Sequence, residues 1–499
     1  MKGTIGLVST SWMVKLGDGD AAMHVNRRKF LKSAASAAGL SGAVLAKSMS
    51  AKGAQEPKTP GAQDQITIRR TLPIRHEVDV FVAGGGPSGI AAAVSAARQG
   101  RSVFLAERQN CLGGMGTAGL LPIFMPFTDG VNFLAGGIGR EIKERLTRAG
   151  GNGPGSDVTI RAEVLKRVYD DLITEVRAEF CFHTQLIGVE TNGDRVAAAI
   201  LAGKSGIFAV RAKQFIDCTG DGDLAAEAGA PYEKGDSQGN MMAGTLCSLW
   251  TGIDWNVAAK EGIPFQEERL EQAFKDKVFT VEDRHLPGMF RVGEHVGGGN
   301  IGHTFGVDGT DERSLTQATV QARKSLVEYE RYYKQYLRGF EHMELVATGA
   351  MLGIRETRRI LGDYVLNLDD FKRRAVFEDE IGRFSYPVDI HASRASAADY
   401  RKFLEEFKSL RYGKGENYGI PYRSLIPRTL SNVFVAGRCI STDRYMQSSI
   451  RVMPACFITG QAAGVAAAMA VEKGTDARGV PVAALQQRLK TLGAYLPNG

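Results

Sequence analysis

The chain has 499 residues, 43% hydrophobic and 23% charged, which is ordinary for a globular protein and ample for a large core. Length alone suggests two or three domains. The formal net charge of +7 does not argue for a nucleic-acid partner, because residues 1–53 hold eight Lys/Arg against two Asp/Glu and the remainder is nearly balanced, 54 basic to 53 acidic. Six cysteines, none in C-x-x-C spacing, argue against a zinc ribbon, an iron–sulfur cluster and a thioredoxin-like dithiol. Buried thiols are the expectation, with structural disulfides left open.

In chain order, the first feature is a leader. "NRRKFLKSAASAAGLSGAVLAKSMSA" sets Arg27 and Arg28 before Phe30, Leu31 and Lys32, then runs mildly apolar to Ala46. It is too short and too rich in Gly and Ser to span a bilayer stably. It resembles a twin-arginine export signal, whose pattern is an arginine pair, any residue, Phe, Leu, Lys. The expectation is a leader over 1–54, cleaved within 46–55, with Met23 as an alternative start and a periplasmic or cell-envelope destination. No later run is read as long and apolar enough for a transmembrane helix, so the processed chain is expected not to insert stably into a membrane.

Next comes "VDVFVAGGGPSGIAAAVSAARQGRSVFLAE" (78–107). Glu77–Ala83 reads as a strand, Pro87 opens a helix, Gly100 stops it, and Arg101–Ala106 is a second strand. Between them Gly84 allows a turn, Gly86 lets backbone approach a pyrophosphate, and Gly89 lets the helix pack on the sheet. Pro87 and Ser88 open the helix whose N–H groups and positive dipole end would face the phosphates. Glu107, beside Arg108, stands where an acidic side chain accepts from a ribose diol. The motif in this setting predicts a dinucleotide; the bland alternative is a phosphate-free turn.

"RQNCLGGMGTAGLLP" follows at once. An NAD domain has no general need for such a glycine cluster. In FAD domains a loop after the ribose-binding acid runs along the pyrophosphate toward the flavin, and Gly113, Gly114 and Thr117 match it. Three strand-like runs joined at "NGD" and "GKSG" predict an antiparallel β-meander over 186–212, leading to the strand "FIDCTGDGD" with Asp221. Asn432–Ala436 predicts a strand running into Gly437 and Arg438. "TGQAAGVAAAMAVEKG" predicts a helix whose Gly460 and Ala463 approach the cofactor.

These stretches, together with "GIRETRRILGDYVL" and "YGIPYRSLIPRTLSNVFVAGRCISTDRYMQSSIRVMPACFITG", resemble the FAD-dependent oxidoreductases of the two-dinucleotide-binding-domain, glutathione-reductase-like type. The likeness spans about 76–475. It implies an α/β fold: a Rossmann-like FAD-binding domain, with a parallel sheet carrying an inserted antiparallel meander, plus an inserted α+β cap. The expected segments are 74–235 and 416–475 for the FAD-binding domain, 236–415 for the cap, and 476–499 for a C-terminal helix and tail. It implies noncovalent FAD held by Gly84, Gly86, Gly89, Glu107, Gly114, Thr117, Asp221 and Gly437.

On the substrate side, "GGGNIGHTFGVDGTDERS" carries His303, Asp308 and Asp311. Oxidising an alcohol or amine by hydride transfer needs a base, and histidine suits it. Asp311 reads better as a helix cap for a long helix over Ser314–Arg338. Arg355, Arg423, Arg438, Arg444 and Arg451 are candidate partners for a carboxylate or phosphate; Arg451 is the preferred substrate or flavin contact, and Tyr445 reads as packing. The expectation is an FAD-dependent oxidoreductase with His303, Arg451 and Arg355 as catalytic residues and no metal. Its partners are a small molecule, sugar-like or an organic acid, and an electron acceptor that no motif names. The alternatives are a flavin monooxygenase or halogenase, and a noncatalytic electron carrier. No second GxGxxG falls in 236–415, which argues against a pyridine-nucleotide domain.

Overall fold

Apolar and β-branched residues in "IRHEVDVFVA" form strand β1 (Ile74–Ala83), whose last four residues are fully buried. The structure, a computed structural model, describes residues 66–260, 267–285 and 288–498. The predicted export signal lies outside them. Glycines turn the chain into helix α1 (Pro87–Arg98), with proline in its first turn and Gly100 at φ +76° beyond its end. Strand β2 (Val103–Ala106) then lies parallel to β1, Val80 opposite Val103.

Strand β3 (Glu179–Cys181) extends this parallel edge. The predicted meander follows as β4 (Gln185–Asn192), β5 (Arg195–Gly203) and β6 (Gly206–Asp217), each antiparallel to the next. Strand β6 also pairs parallel with β1, and Val433–Val435 joins β6 at Phe215–Asp217. The sheet order is β3-β2-β1-β6-β5-β4 with that last strand beside β6. This is the expected α/β architecture. It brings the ends of β1, β6 and Val433–Val435 side by side, and the glycine-bearing turns follow those ends.

The C-terminal core helix differs from expectation. It starts at Met453, six residues before Thr459, with Val452 as N-cap and Pro454 in its first turn, and runs to Lys473. That proline is the start signal. The helix is long and apolar enough to cross a membrane, contrary to the sequence reading, but 94% of its most apolar stretch is buried inside the protein. It lies against α1. A Cβ on Gly460 would fall 2.2 Å from Ser88 O, and one on Gly464 2.2 Å from Ala92 O. Gly460 therefore lies in a helix–helix seam, and Ala463 beside it is wholly buried.

A second hydrophobic cluster gathers around Trp250, Tyr332, Tyr333 and Phe340. It is built from the helix Glu312–Tyr336 and a sheet of Glu344–Thr348, Ser248–Thr251, Gly297–Gly299 and Met289–Arg291, in that order. Asp311 caps the helix, accepting from Ser314 N at 2.6 Å, as expected of it. Apolar side chains from Ile360 to Val388 pack with the first cluster, so the segment predicted as one cap, 236–415, divides between two cores. All six cysteines are free.

Gly464→Ala would press a methyl group into the Ala92 carbonyl. Overpacking of this kind costs about 1–3 kcal/mol, so the urea midpoint should fall. An unchanged midpoint would mean that the seam opens freely.

Candidate active site

The turn after β1 uses its glycines in three ways. Gly84 sits at φ +90°, where a Cβ would meet Cys218 O at 2.7 Å. A Cβ on Gly89 would fall 1.8 Å from Gly84 O, so α1 reaches the turn only through a glycine. Gly86 has nothing within 4 Å of its Cβ position. Across from it stands Gly114, at φ +52°, whose Cβ position is 3.3 Å from Gly86 Cα. Gly86 is also the N-cap of α1 and brings no capping side chain to the helix's first N–H groups. Glu107 accepts from Gly85 N at 2.6 Å and Gln109 N at 2.7 Å, one on each oxygen.

Other predicted contacts are placed as follows. Gly437, at φ +84°, packs on buried Ser88, with its Cβ position 2.6 Å from Ser88 Oγ. Gly113 turns at φ +100° beneath the Tyr169 ring. Thr117 is wholly buried and donates to Leu112 O at 2.5 Å, so it braces its loop rather than offering its hydroxyl to a ligand. Arg438 donates from Nη2 to Asp221 Oδ1 at 2.6 Å, while its Nη1 is buried with no partner among the described residues. Arg108 is exposed, and its charge reaches Asp223.

"GIRETRRI" ties this cradle to the second site. Thr357 Oγ1 donates to Asp221 Oδ1 at 2.8 Å and Arg358 to Asp223 at 2.8 Å. Glu356, with no exposed surface, accepts from Arg359 at 2.9 Å, Arg444 at 3.0 Å and Met242 N at 3.0 Å. Arg355 donates from Nη1 to Ala243 O at 2.7 Å and Thr245 Oγ1 at 2.9 Å.

Beside Arg355 lies a chain of polar groups. Asp283 bonds His303 Nδ1 at 3.1 Å, and His303 Nε2 bonds His391 Nδ1 at 2.8 Å. His391 Nε2 stands 3.4 Å from Asp389 Oδ1, and Arg451 holds Asp389 Oδ2 at 3.0 Å. His285 joins them, the three imidazoles having ligand atoms within 4.8 Å of one another. Burial, then the charge of Arg355, pushes His391 well below the usual imidazole range. Burial, then the neighbouring imidazoles, does the same to His285. Burial alone would raise the Asp389 carboxyl, but His391, Arg451 and Arg355 outweigh it and hold it far below the carboxylate range. Arg355 is itself pushed down to about 10 by burial and by Arg451. Among the described residues a cavity of about 830 Å³ is lined by His391, Arg444, Tyr445, Arg359 and Phe403, with His303 one ring behind.

A family model described as FAD dependent oxidoreductase matches residues 79–489. The chain belongs to this family. No curated protein sequence matches it. Similar solved structures include a geranylgeranyl bacteriochlorophyll reductase-like protein from Thermoplasma acidophilum, at 14% identity over 84% of this chain and 83% of that one, TM-score 0.40. Others are the flavin-dependent brominase Bmp2, at 12% over 83% and 84%, TM-score 0.42, and p-nitrophenol 4-monooxygenase PnpA from Pseudomonas putida DLL-E4, at 11% over 83% and 81%, TM-score 0.40. Membership rests on the family match.

The flavoenzyme's cradle fits its FAD. Bare Cα atoms at Gly86 and Gly114 and uncapped N–H groups of α1 suit a pyrophosphate. Glu107 keeps a second lone pair on each oxygen for ribose hydroxyls, and Arg438 Nη1 is a donor awaiting an acceptor.

The fold brings the three predicted catalytic residues together, with changed roles. Arg451 is committed to Asp389, and His303 is screened from the cavity by His391. Asp308 pairs with Lys234 at 2.6 Å and Arg423 with Asp379 at 2.9 Å, both away from the relay. Sequence reasoning missed His391, Asp389, Asp283 and His285; they form two Asp-x-His pairs, Asp283/His285 and Asp389/His391, in loops about a hundred residues apart, and the shared spacing was the one signal that could have found them. Three imidazoles are also a set that a divalent metal accepts. Here the direct His303–His391 bond gives both nitrogens one shared proton, and the Arg355 guanidinium opposes a further cation.

Two outcomes follow for this site. Gly86→Val should leave a folded but colourless protein, since the side chain has room in the protein and none beside a pyrophosphate; full FAD content after purification would misplace the cradle. Below about pH 6.5 the unfolded imidazoles bind protons that folded His285 and His391 do not. Stability should therefore fall as the pH drops from 6.5 towards 5, measured as urea midpoints, and His285→Phe should flatten that slope.

Proposed function

We propose that this flavoenzyme oxidises a small organic molecule at a carbon bearing a hydroxyl or amine, with His391 as the proton acceptor. When bound, FAD supplies the two-electron, hydride-accepting chemistry. The observation that carries the reading is the Asp283–His303–His391 relay ending on the cavity.

The relay sets the tautomers. A carboxylate only accepts, so His303 donates from Nδ1 to Asp283 and keeps a lone pair on Nε2. His391 then donates from Nδ1 to that lone pair. Its Nε2 is left as the basic nitrogen, and Asp389 at 3.4 Å stands ready to stabilise the imidazolium formed there. Arg451 and the Ser448 hydroxyl, which accepts from Asp389 N at 2.9 Å, fix Asp389 in turn. Burial keeps His391 neutral at neutral pH, so the base is ready to accept. Export through the leader's arginine pair belongs to the same proposal.

A panel of alcohols and amines, mixed anaerobically with the yellow holoenzyme, tests this by bleaching of the flavin. His391→Asn should keep its FAD and bleach about 100-fold more slowly or worse. The wild-type rate should hold down through pH 6.5 and fall only below it, because protonation of His391 is displaced to lower pH. An unchanged rate in His391→Asn removes it as base, and a product oxygenated or halogenated only in air would favour the oxygenase alternative. One tightly held zinc per chain by elemental analysis would make the imidazoles ligands instead.

A further inference from the structure

We infer that Arg355 anchors a carboxylate of the substrate, so that the oxidised molecule is a small carboxylic acid carrying the reacting hydroxyl or amine. This rests on the reading of the His391 cavity as the substrate site.

Arg355 differs from the other arginines around it. Arg451 is paired with Asp389, Arg359 and Arg444 with Glu356, Arg438 with Asp221, and Arg423 with Asp379. Arg355 is 8% exposed and has no carboxylate within ion-pairing distance among the described residues. Among the described residues its side chain donates to two neutral oxygens alone, Ala243 O and Thr245 Oγ1, and both take Nη1. Nε and Nη2 donate to no described residue. Those two nitrogens form the edge of a guanidinium that grips a carboxylate with two parallel bonds.

The surroundings need a negative charge. A buried, unpaired cation is costly, and a like charge on Arg451 adds to the cost. Asp389 reaches Arg355 only through space, being committed to Arg451 and His391. Neutral oxygens hold the guanidinium in place without discharging it. Arg355 does not itself line the cavity; it lies behind the lining, near His391, so a carboxylate that completes the fork would have to reach past the cavity wall beside that imidazole.

The test uses the FAD-loaded full chain with acetate as the probe and acetamide as its neutral isostere. Acetate should raise the melting temperature and perturb the flavin absorption saturably; acetamide should do neither. Arg355→Lys should weaken acetate binding about tenfold, because a point charge replaces the fork. Arg355→Met should abolish it, keep the FAD, and melt no lower than wild type, since an unpaired buried charge has gone. Equal responses to acetate and acetamide, or wild-type acetate affinity in Arg355→Lys, would overturn the inference. So would loss of FAD from Arg355→Met, which would assign the guanidinium to the cofactor. If Arg355→Met does not fold, the lysine variant decides. Because binding is read without turnover, a fully active His391→Asn would remove the proton acceptor and leave the acetate result standing.

Discussion

One buried carboxylate organises the chemistry of this protein. Glu356 has no exposed surface and holds two guanidiniums and a backbone N–H. Removing one partner of such a pair typically costs about 3–5 kcal/mol, because the other charge is stranded. That constraint fixes the register of "GIRETRRI". Once Glu356 is set, Thr357 must meet Asp221 at the cradle and Arg355 must enter the imidazole cluster. The cradle and the imidazole cluster are thus tied together by adjacent residues of one short run.

The cradle was legible because its signals are local. Gly84, Gly86 and Gly89 sit within six residues, and each answers to a backbone requirement that sequence spacing expresses directly. The β-meander was legible for the same reason, through its turn glycines and alternating strands. Where the reading erred, a local rule met a long-range demand. Gly86 and Gly460 look alike on paper; one leaves space for a ligand, and the other leaves space for the backbone of α1. Thr117 matched a cofactor loop, yet its donor was needed by the carbonyl of Leu112. The core helix begins at Met453 rather than at Thr459 because the apolar run before Thr459 is equally buried.

The hydrogen-bonded imidazole chain was only partly legible. His303 stood out in a glycine-rich loop, and its chemistry suggested a base. Its partner His391 lies in "DIHAS", a stretch with no helical or strand periodicity to mark it. Only tertiary packing joins Asp283, His303, His391 and Asp389. Arginine-rich composition pointed to an anion-binding region, but composition could not separate Arg451, already neutralised, from Arg355, which is not.

The seam between α1 and the core helix bears on when the phosphate-binding turn is complete. Ser88 is pinned from two sides, its side chain by Gly437 and its backbone by Gly460. Both pinning residues arrive more than 340 positions later in the chain. A nascent polypeptide carrying only its first nucleotide-binding motif has that helix unsupported on the ribosome. The phosphate-binding turn therefore gains its full support only when the last sixty or so residues have been made.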